Sequence, residues 1–219
     1  MATNATIACL ANSRKLGARC IAGVDVNAGE WIRPIGSGDH GAVIHSERTY
    51  ADDSEPQLLD LIELSLAGSA PQPGQPENWK LAPGRWRKVG HLDDDEALEL
   101  LERLTTDEPL FGSNARSFSA DHVAAGEVPR SLGVVRPERL TWEKNPWSKV
   151  RCSFFHAGSW HDFPVTDPVW VAMFKNDPLN SSFEHSDDEV PFLVVSLGDL
   201  DPNTDQHWKL VAGVVGLPV

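Results

Sequence analysis

Hydrophobic residues in the first third of the chain occur in short runs that are separated by polar or glycine-containing turns. Runs of this length and composition are typical of β-strands. They predict strands at residues 6–11, 18–24, 30–35, 58–66 and around 80–89. The first three predicted strands follow one another closely enough to form a meander. A stretch rich in Gly, Asp and His separates them from the fourth.

The last third of the chain has the same coarse pattern. It predicts strands at residues 135–142, 149–155, 159–165, 191–197 and 207–215. Between the third and fourth of these strands, Asp167 and Pro168 are the residue types favoured at the N-cap and first position of a helix. We expect this short helix to continue to Phe174.

The middle of the chain predicts one helix followed by an irregular crossover. Four acidic residues at 93–96 precede leucines at helical spacing, and the helix dipole favours acidic groups in a first turn. We therefore expect a helix at about 93–105. Consecutive carboxylates on a helix fan out and cannot converge on one ion, so we interpret the acidic run as a solvated helix start. Residues 105–132 mix Gly, Ser, Pro and Asn and are typical of a loop.

Four short motifs occur twice, in the same order and at similar spacing. In the first half they are Arg19-Cys20, Gly29-Glu30-Trp31, Ser65-Leu66 and Trp79-Lys80-Leu81. In the second half they are Arg151-Cys152, Gly158-Ser159-Trp160, Ser196-Leu197 and Trp208-Lys209-Leu210. The chain has 8 tryptophans, so two WKL motifs in register are hard to attribute to chance. The sequence predicts an internal duplication, with one domain at 4–91, a second at 134–219, and an acidic helical linker at 92–133.

Each copy contains three meander strands, a loop or helix, and two further strands. This is the strand order of an OB-fold, a five-stranded and partly open barrel. An SH3-like barrel or a small sandwich would give a similar order. The expected fold class is mainly β, with two OB-like five-stranded barrels.

The composition is that of a globular protein, with 41% hydrophobic and 23% charged residues, which excludes disorder as the main state. The net charge is −13. A strongly anionic protein repels nucleic acid at long range and gains little from counterion release. The charge is uneven, however: residues 91–132 hold 3 basic and 10 acidic residues, whereas residues 1–90 hold 9 and 10. A local cationic site in the first half is therefore compatible with the charge.

The cysteines and the apolar stretches indicate the compartment. Cys9, Cys20 and Cys152 form no CxxC pair, and an odd number of cysteines is a poor disulfide framework. No apolar stretch reaches the roughly 20 residues of a membrane helix, and the first residues lack the basic-then-apolar order of a signal peptide. We expect free thiols, a cytoplasmic location and no membrane association.

The candidate ligand site lies in the first predicted barrel, where polar residues fill the loop between strands one and two. In OB-folds this loop and the loop before the last strand frame the usual ligand groove. Alternation along strand three places Trp31 and Arg33 on one face, an arrangement that suits base stacking and a phosphate contact. The expected nucleic-acid-binding residues are Asn12, Ser13, Arg14, Lys15, Arg19, Trp31 and Arg33.

A structural role is the alternative for the same residues. In that interpretation Trp31 belongs to the core, and Arg19 and Arg33 form ion pairs. Their partners would be Asp25, Glu30 or Asp60.

The second copy differs at the corresponding positions. Trp160 matches Trp31, but Asp162 falls near the position of Arg33. An acidic groove would not hold phosphates. We therefore expect this copy to provide a packing surface or a surface for a protein partner.

No pattern in the sequence predicts a metal, a cofactor or a catalytic residue. The pairs His40 with His45, His156 with His161, and Cys9 with Cys20 lack zinc-ligand spacing. The chain has no GxSxG or Walker motif. We expect no bound metal and no cofactor.

Several motifs also resemble a known family, the dual OB-containing domain family of prokaryotes. They are CLANSRK at 9–15, RCIAG at 19–23, GEWIRP at 29–34, LLD at 58–60, QPEN at 75–78 and DFPVTDP at 162–168. The resemblance covers nearly the whole chain and is more specific in its first half. It implies a pair of OB barrels and a nucleic-acid-sensing or adaptor role in antiviral conflict systems. It implies no catalytic residue.

Three functions are compatible with the sequence. The first is a non-catalytic module that binds a nucleic-acid strand or nucleotide through its first barrel and docks its acidic second half onto an effector, such as a nuclease or helicase. The second is an adaptor that binds only proteins, which the net charge favours. The third is an enzyme acting on a nucleotide or nucleic acid.

Overall fold

The computed structural model describes residues 3–219, and the first half of the chain forms a closed five-stranded barrel. Its strands are β1 Thr3–Lys15, β2 Ala18–Asp25, β3 Trp31–Ile35, β4 Asp60–Ser69 and β5 Asn78–Leu81. They pair in the order β1-β2-β3-β5-β4, and β4 pairs again with β1. β3 and β5 run parallel, and the other pairs in the ring run antiparallel. This is the Greek-key barrel of an OB-fold, and it confirms the predicted fold class.

The ring closes because β1 is long and bent. Its first half, from Thr3 to Ala8, pairs with β4, and its second half, from Ile7 to Lys15, pairs with β2. The register shifts between Cys9 and Ala11, and a bulge of this kind bends a strand and increases its twist. The short helix α1, His45–Arg48, lies in the connection from β3 to β4.

The last strand that the sequence predicted in this half, around residues 80–89, is divided in two. β5 ends at Leu81, and β6, Arg87–His91, pairs with the opposite end of β4. Pro83 and Gly84 lie between them. Proline has no N–H to donate to a ladder, and Gly84 has a positive φ of 146°, so pairing stops there.

The second half forms two four-stranded sheets. Their main strands are β8 Leu132–Val135, β9 Arg139–Lys144, β10 Val150–His156, β11 Ser159–Pro164, β12 Ser181–Glu184, β13 Glu189–Asp201 and β14 Gln206–Pro218. The sheet orders are β11-β10-β9-β12 and β7-β14-β13-β8, where β7 is Ser117–Ser119. A parallel bridge between Val165 and Val211 joins the sheets at the position of the β3–β5 pairing in the first barrel.

A break in one strand leaves the second barrel half open. The pairing of β8 with β13 corresponds to the pairing of the first half of β1 with β4. The pairing of β9 with β10 corresponds to the pairing of the second half of β1 with β2. The single strand β1 therefore corresponds to two strands in the second copy. Pro137 lies in the gap between them, where it cannot continue the ladder. The free edge of β9 is covered by β12 instead.

The two predicted helices are confirmed. α2, Asp94–Leu104, has Asp93 as its N-cap, whose side chain accepts from the backbone N–H of Glu96. α4, Pro168–Met173, has Asp167 as its N-cap, which accepts from the N–H groups of Val169 and Trp170 and also from that of Val214. Burial raises the pKa of Asp167.

The middle segment is packed against both barrels. β7 pairs with β14, and the short helix α3, Ala120–Ala124, follows it. α2 buries Ala97, Leu100 and Leu101 in a core that contains side chains from both halves. The domain boundaries at 92 and 133 stay a prediction.

The two barrels share a hydrophobic core, which we call the shared core. Outward-facing side chains of β1 and β2 pack there against β8, β13, β14 and α2. Its main members are Ala8, Leu10, Ala22, Val24, Leu101, Val134, Phe192, Val194, Ala212 and Val215. At its centre a Cβ atom on Gly213 would lie 2.3 Å from the carbonyl oxygen of Leu10. The backbones of β14 and β1 therefore touch directly.

The repeated motifs lie on corresponding strands, but not all of them face the same way. Trp31 is the first residue of β3 and Trp160 is the second residue of β11, and they lie opposite Val24 and Phe155 respectively. The WKL motifs occupy β5 and β14, yet Lys80 is exposed whereas Lys209 is buried. A one-residue difference in register exchanges the two faces of a strand. Inside the second barrel, Lys209 Nζ donates to the carbonyl oxygens of Leu110 and Ser113, and burial lowers its pKa to about 8.

Candidate functional site

The outer face of the first barrel, where the sequence placed the ligand groove, lies against the second barrel. A row of side chains crosses this face through Ala8, Val24 and Trp31, which are register partners on β1, β2 and β3. All three pack into the shared core, and Trp31 is half-buried. The outer face of β2 and β3 is the surface through which OB-folds usually bind oligonucleotides. In this chain that surface is covered.

Arg33 is almost completely buried at the same interface, with 2% of its surface exposed. Its Nη2 donates a hydrogen bond of 3.0 Å to Ser196 Oγ on β13. Its backbone N–H donates to the carbonyl oxygen of Glu77. The guanidinium Nε has no hydrogen-bond partner among residues 3–219. The alternative interpretation, an ion pair of Arg33 with Asp25, Glu30 or Asp60, finds no support among the ion pairs of the described residues.

Four of the seven expected site residues meet in one small cavity between the barrels, which we call the inner cavity. Ser13, Arg14, Lys15 and Arg33 line it together with residues 196–199 of β13, and its volume is about 90 Å³. Lys15 Nζ lies 3.0 Å from the carboxylate of Asp199. Arg14 is exposed and lies at its rim, where its backbone N–H donates to Thr166.

The other expected residues lie apart from this cavity. Asn12 Nδ2 donates to the carbonyl oxygen of Pro56. Arg19 lies 3.8 Å from Glu55, which also accepts two hydrogen bonds from Arg48. Partial burial lowers the pKa of Arg19, and the positive charge of Arg48 adds to this effect, while Glu55 opposes it. The acidic partner of Arg19 is therefore Glu55, which the sequence analysis did not select.

A larger cavity of about 390 Å³ adjoins the inner cavity, and we call it the outer cavity. Gln75 and Asp199 line both of them. The outer cavity also carries Asn78, His40 and His207. A chain of hydrogen bonds runs along the boundary: Asn78 Nδ2 donates to Gln75 Oε1, and Gln75 Nε2 donates to Asp199. No sequence pattern marked these residues as a site, although 75–78 is one of the motifs that carry the family resemblance.

The corresponding outer face of the second barrel is open to solvent. Register pairing across β9, β10 and β11 places Arg139, Phe155 and Trp160 in one row. The next row on the same face is Thr141, Ser153 and Asp162, and the third is Glu143, Arg151 and Pro164. Trp160 is 57% exposed and meets Phe155 edge to face, with 5.7 Å between ring centroids. We call these three rows the open face.

The comparisons with known proteins agree with this architecture. The family model of the dual OB-containing domain matches residues 5–214. The chain belongs to the dual OB-containing domain family. No curated protein and no solved structure matches it significantly. Two OB domains indicate a binding module, and OB domains commonly bind nucleic acids.

Asp162, the residue that suggested an acidic groove on the second OB barrel, is paired with two arginines. Asp162 Oδ1 accepts from Arg151 Nε at 2.7 Å, and Asp162 Oδ2 accepts from Arg116 Nη2. Arg116 comes from the middle segment, far away in sequence, so its proximity could not be read from the strand pattern. Two guanidinium groups therefore balance the charge of this carboxylate. A cavity of about 560 Å³ beside Arg139, Thr141 and Trp160 is also lined by Glu138, Glu184, Asp187 and Glu189. An acidic groove on this barrel stays a prediction.

The last two features of the described residues concern metal binding and membrane-spanning helices. Among residues 3–219, no group of three or more His, Cys, Asp or Glu side chains is arranged to hold a metal ion. Within the same residues, no helix is long and apolar enough to cross a membrane.

All three cysteines are free, and we expect them to differ in reactivity. Cys9 and Cys152 are buried in different barrels, and burial raises the pKa of both thiols, whereas Cys20 is partly exposed. Without reductant, a thiol reagent should label one cysteine quickly in the native protein and three after unfolding, because the thiolate is the reactive form. Recovery of a single thiol from the unfolded chain would reveal a disulfide.

Proposed function

We propose that this protein is a non-catalytic module that binds single-stranded nucleic acid on the open face of its second OB barrel. The observation that carries the proposal is the row of Arg139, Phe155 and Trp160, in which Arg139 and Trp160 are exposed and Phe155 is partly buried. Aromatic rings on an OB sheet stack on bases, and each stacked base is worth about 1–3 kcal/mol. The first barrel has the same face covered, which leaves the second as the available one.

The rest of the open face supports a strand running across it. Thr141 and Ser153 are short, so the middle row is shallow beside the aromatic row. Two residues along a strand span about 6.6 Å, and Arg151 therefore lies about two such steps from Phe155. A cavity of about 340 Å³ continues from Arg151 to Trp208, which offers a further ring at the end of the path.

The net charge sets the conditions under which binding can be seen. With −13 on the whole chain, long-range repulsion opposes the approach of a polyanion, and affinity has to come from stacking and a few local cations. We therefore expect weak binding that is strongest at low salt and a salt dependence that reflects few phosphate contacts.

Fluorescence anisotropy with labelled single-stranded DNA and RNA oligonucleotides tests the proposal. Trp160→Ala is expected to weaken binding about 5- to 150-fold, the loss of one stacked base. Arg139→Ala should weaken binding and lower the slope of log K against log salt by about 0.7, because one phosphate contact is lost.

Trp147→Ala is the matched control. Trp147 is 77% exposed and lies in the turn between β9 and β10, at the opposite end of the same sheet from the aromatic row. We expect its substitution to leave binding unchanged. Absence of binding to every strand at low salt, or equal losses for Trp147→Ala and Trp160→Ala, would reject the proposal.

A role as a protein adaptor is a second candidate, and one surface feature favours it. Apolar side chains on α4 and around β12 are exposed, namely Val169, Met173, Leu179 and Phe183. Exposed apolar groups that cluster often mark protein contacts. We propose that this surface docks onto an effector such as a nuclease or helicase of a prokaryotic antiviral system in the cytoplasm. Met173→Asp should abolish co-purification with such an effector and leave oligonucleotide binding intact.

A further inference from the structure

The boundary between the barrels contains two adjoining cavities whose walls come from both halves of the chain. Arg33 and Asn78 belong to the first barrel, and Ser196 and Asp199 belong to the second. The inner cavity, about 90 Å³, is the size of a small ionic group. The outer cavity, about 390 Å³, falls within the range of small-molecule sites. Neither has room for a nucleic-acid strand.

Two buried polar atoms at this boundary lack partners. Arg33 and Asn78 are register partners on β3 and β5, and they are 2% and 1% exposed. Within the part of the chain that the structure describes, Arg33 Nε, a donor, and Asn78 Oδ1, an acceptor, have no hydrogen-bond partner. Leaving a buried polar group unpaired destabilises a fold by about 1–3 kcal/mol. One residue lines the inner cavity and the other lines the outer cavity, so one ligand that spans both could satisfy both atoms.

The polar groups around each cavity define what such a ligand would carry. The inner cavity has three cationic side chains, Arg14, Lys15 and Arg33, and one carboxylate, Asp199, which is already bonded by Lys15 and Gln75. This composition favours an anionic group.

The outer cavity offers acceptors instead. Asn78 Oδ1 has no partner, and His207 Nδ1 lies 2.9 Å from the carbonyl oxygen of Gly198. A carbonyl can only accept, so Nδ1 carries the proton in that contact and Nε2 is left as an acceptor. The outer cavity therefore suits an exocyclic amino group, whose two N–H bonds can donate to both acceptors, better than a ring with a single N–H.

We propose that this boundary binds a nucleoside monophosphate, with its phosphate in the inner cavity and an amino-bearing base in the outer cavity. The phosphate accepts from Arg33 Nε and from the side chains of Arg14 and Lys15. The exocyclic amino group of the base donates to Asn78 Oδ1. Because the ligand touches both barrels, its binding stabilises their packing. The site is separate from the open face and does not depend on strand binding there.

Calorimetric titration and thermal unfolding of the full chain with AMP, CMP, GMP and UMP test the proposal. The three monophosphates with an exocyclic amino group should bind and raise the unfolding temperature with concentration. UMP lacks that group and should bind at least about tenfold more weakly, as expected when a buried acceptor is left unpaired. Inorganic phosphate and the nucleosides alone, as separate probes, should each bind more weakly than the complete nucleotide.

Substitutions separate the two halves of the site. Arg14 is exposed, and its side chain forms no hydrogen bond or ion pair with another described residue. Arg14→Ala should therefore weaken binding of all nucleotides about equally. Asn78→Ala should remove the preference for amino-bearing bases, and Gln72→Ala gives a second probe of the outer cavity if Asn78→Ala fails to fold. Arg85→Ala, an exposed arginine that lines neither cavity, is the control and should leave binding unchanged.

The outcomes are distinct. Binding of AMP, CMP and GMP that Arg14→Ala weakens and Arg85→Ala does not supports the proposal. The proposal would be overturned if no monophosphate binds. It would also be overturned if inorganic phosphate or UMP binds as tightly as AMP, CMP and GMP. Oligonucleotide binding measured on the same variants shows whether the open face is intact, so a failure at one surface is not mistaken for a failure at the other.

Discussion

Replacing Asp60 by asparagine is expected to lower the free energy of unfolding by about 3 kcal/mol at neutral pH, the lower end of the range for breaking a buried ion pair. Asp60 is the first residue of β4 and is fully buried. Its carboxylate faces two basic side chains, Lys88 and His91 of β6. It also accepts from the hydroxyl of Tyr50, at 3.1 Å, and from the backbone N–H of Gln57.

The estimate lies at the lower end because the partners differ in burial. Lys88 and His91 are about half exposed, so they can turn toward water when the carboxylate is gone. Tyr50 is buried, so its hydroxyl cannot turn toward water. An asparagine amide has the right shape but turns one acceptor into a donor, which then faces another donor. The loss comes mainly from buried donors that keep no acceptor.

The effect of Asp60→Asn should depend on pH in a defined direction. Burial alone would raise the pKa of Asp60, but the hydrogen bonds from Lys88, Gln57, His91 and Tyr50 outweigh it and hold the pKa below its usual value. A carboxyl group with a depressed folded-state pKa stabilises the fold fully above the unfolded-state pKa, about 3.9. That stabilisation is lost as the pH falls through the folded-state pKa.

Urea unfolding monitored by tryptophan fluorescence gives the measurement. The difference between wild type and Asp60→Asn should be largest near pH 7 and shrink as the pH falls below about 3.9. Asp107→Asn removes an exposed carboxylate and should change stability by less than about 0.5 kcal/mol. A difference that is constant with pH, or no larger than that of the control, would contradict the role of the charge.

The strand order could be predicted from sequence because it depends on local patterns. Short β-prone runs between turns, together with four motifs repeated in the same order, were enough to predict two copies of one barrel. Asp93 and Asp167 predicted helix starts because capping depends on neighbouring backbone groups.

The covered face of the first barrel was not predicted, although the sequence holds a signal for it. Residues 7–11 and 21–24 are continuously apolar, and both strands are buried on both faces. Strand β10 instead alternates between buried and partly exposed side chains. Continuous runs indicate a strand covered on both sides, and alternation indicates one open face. Applied to the two copies, this difference would have assigned the open face to the second barrel.

The cavities between the barrels could not be predicted from sequence. Asn78 and Arg33 are 45 positions apart, and Asp199 lies in the other barrel, so their meeting depends on how the two barrels pack. The alternation that placed Arg33 beside Trp31 was correct, but it could not show that β13 covers both. Pairing of Asp162 with Arg116 is missed for the same reason, since Arg116 reaches the open face from the middle segment.

The contact between the barrels is expected to be intolerant of a single methyl group. A Cβ atom on Gly213 would lie 2.3 Å from the carbonyl oxygen of Leu10 and 3.3 Å from its carbonyl carbon. Both are backbone atoms, so no side-chain rotation relieves the clash and β14 has to move away from β1. Gly213→Ala should therefore lower the free energy of unfolding by about 3 kcal/mol, the upper end of the range for overpacking a core.

Gly216→Ala on the same strand is the matched control, because its clash is equally short but involves a different kind of atom. A Cβ atom there would lie 2.4 Å from Glu189 Oε2, the end of a flexible and partly exposed side chain that can swing into water. Neither glycine is among those with positive φ, so alanine fits both backbone conformations. Gly216→Ala should change stability by less than about 0.5 kcal/mol, or stabilise slightly by restricting the unfolded chain. Equal stability of the two variants in urea unfolding would mean that the barrels are not held in direct backbone contact. A large loss of stability only for Gly213→Ala would establish that contact as the basis of the shared core.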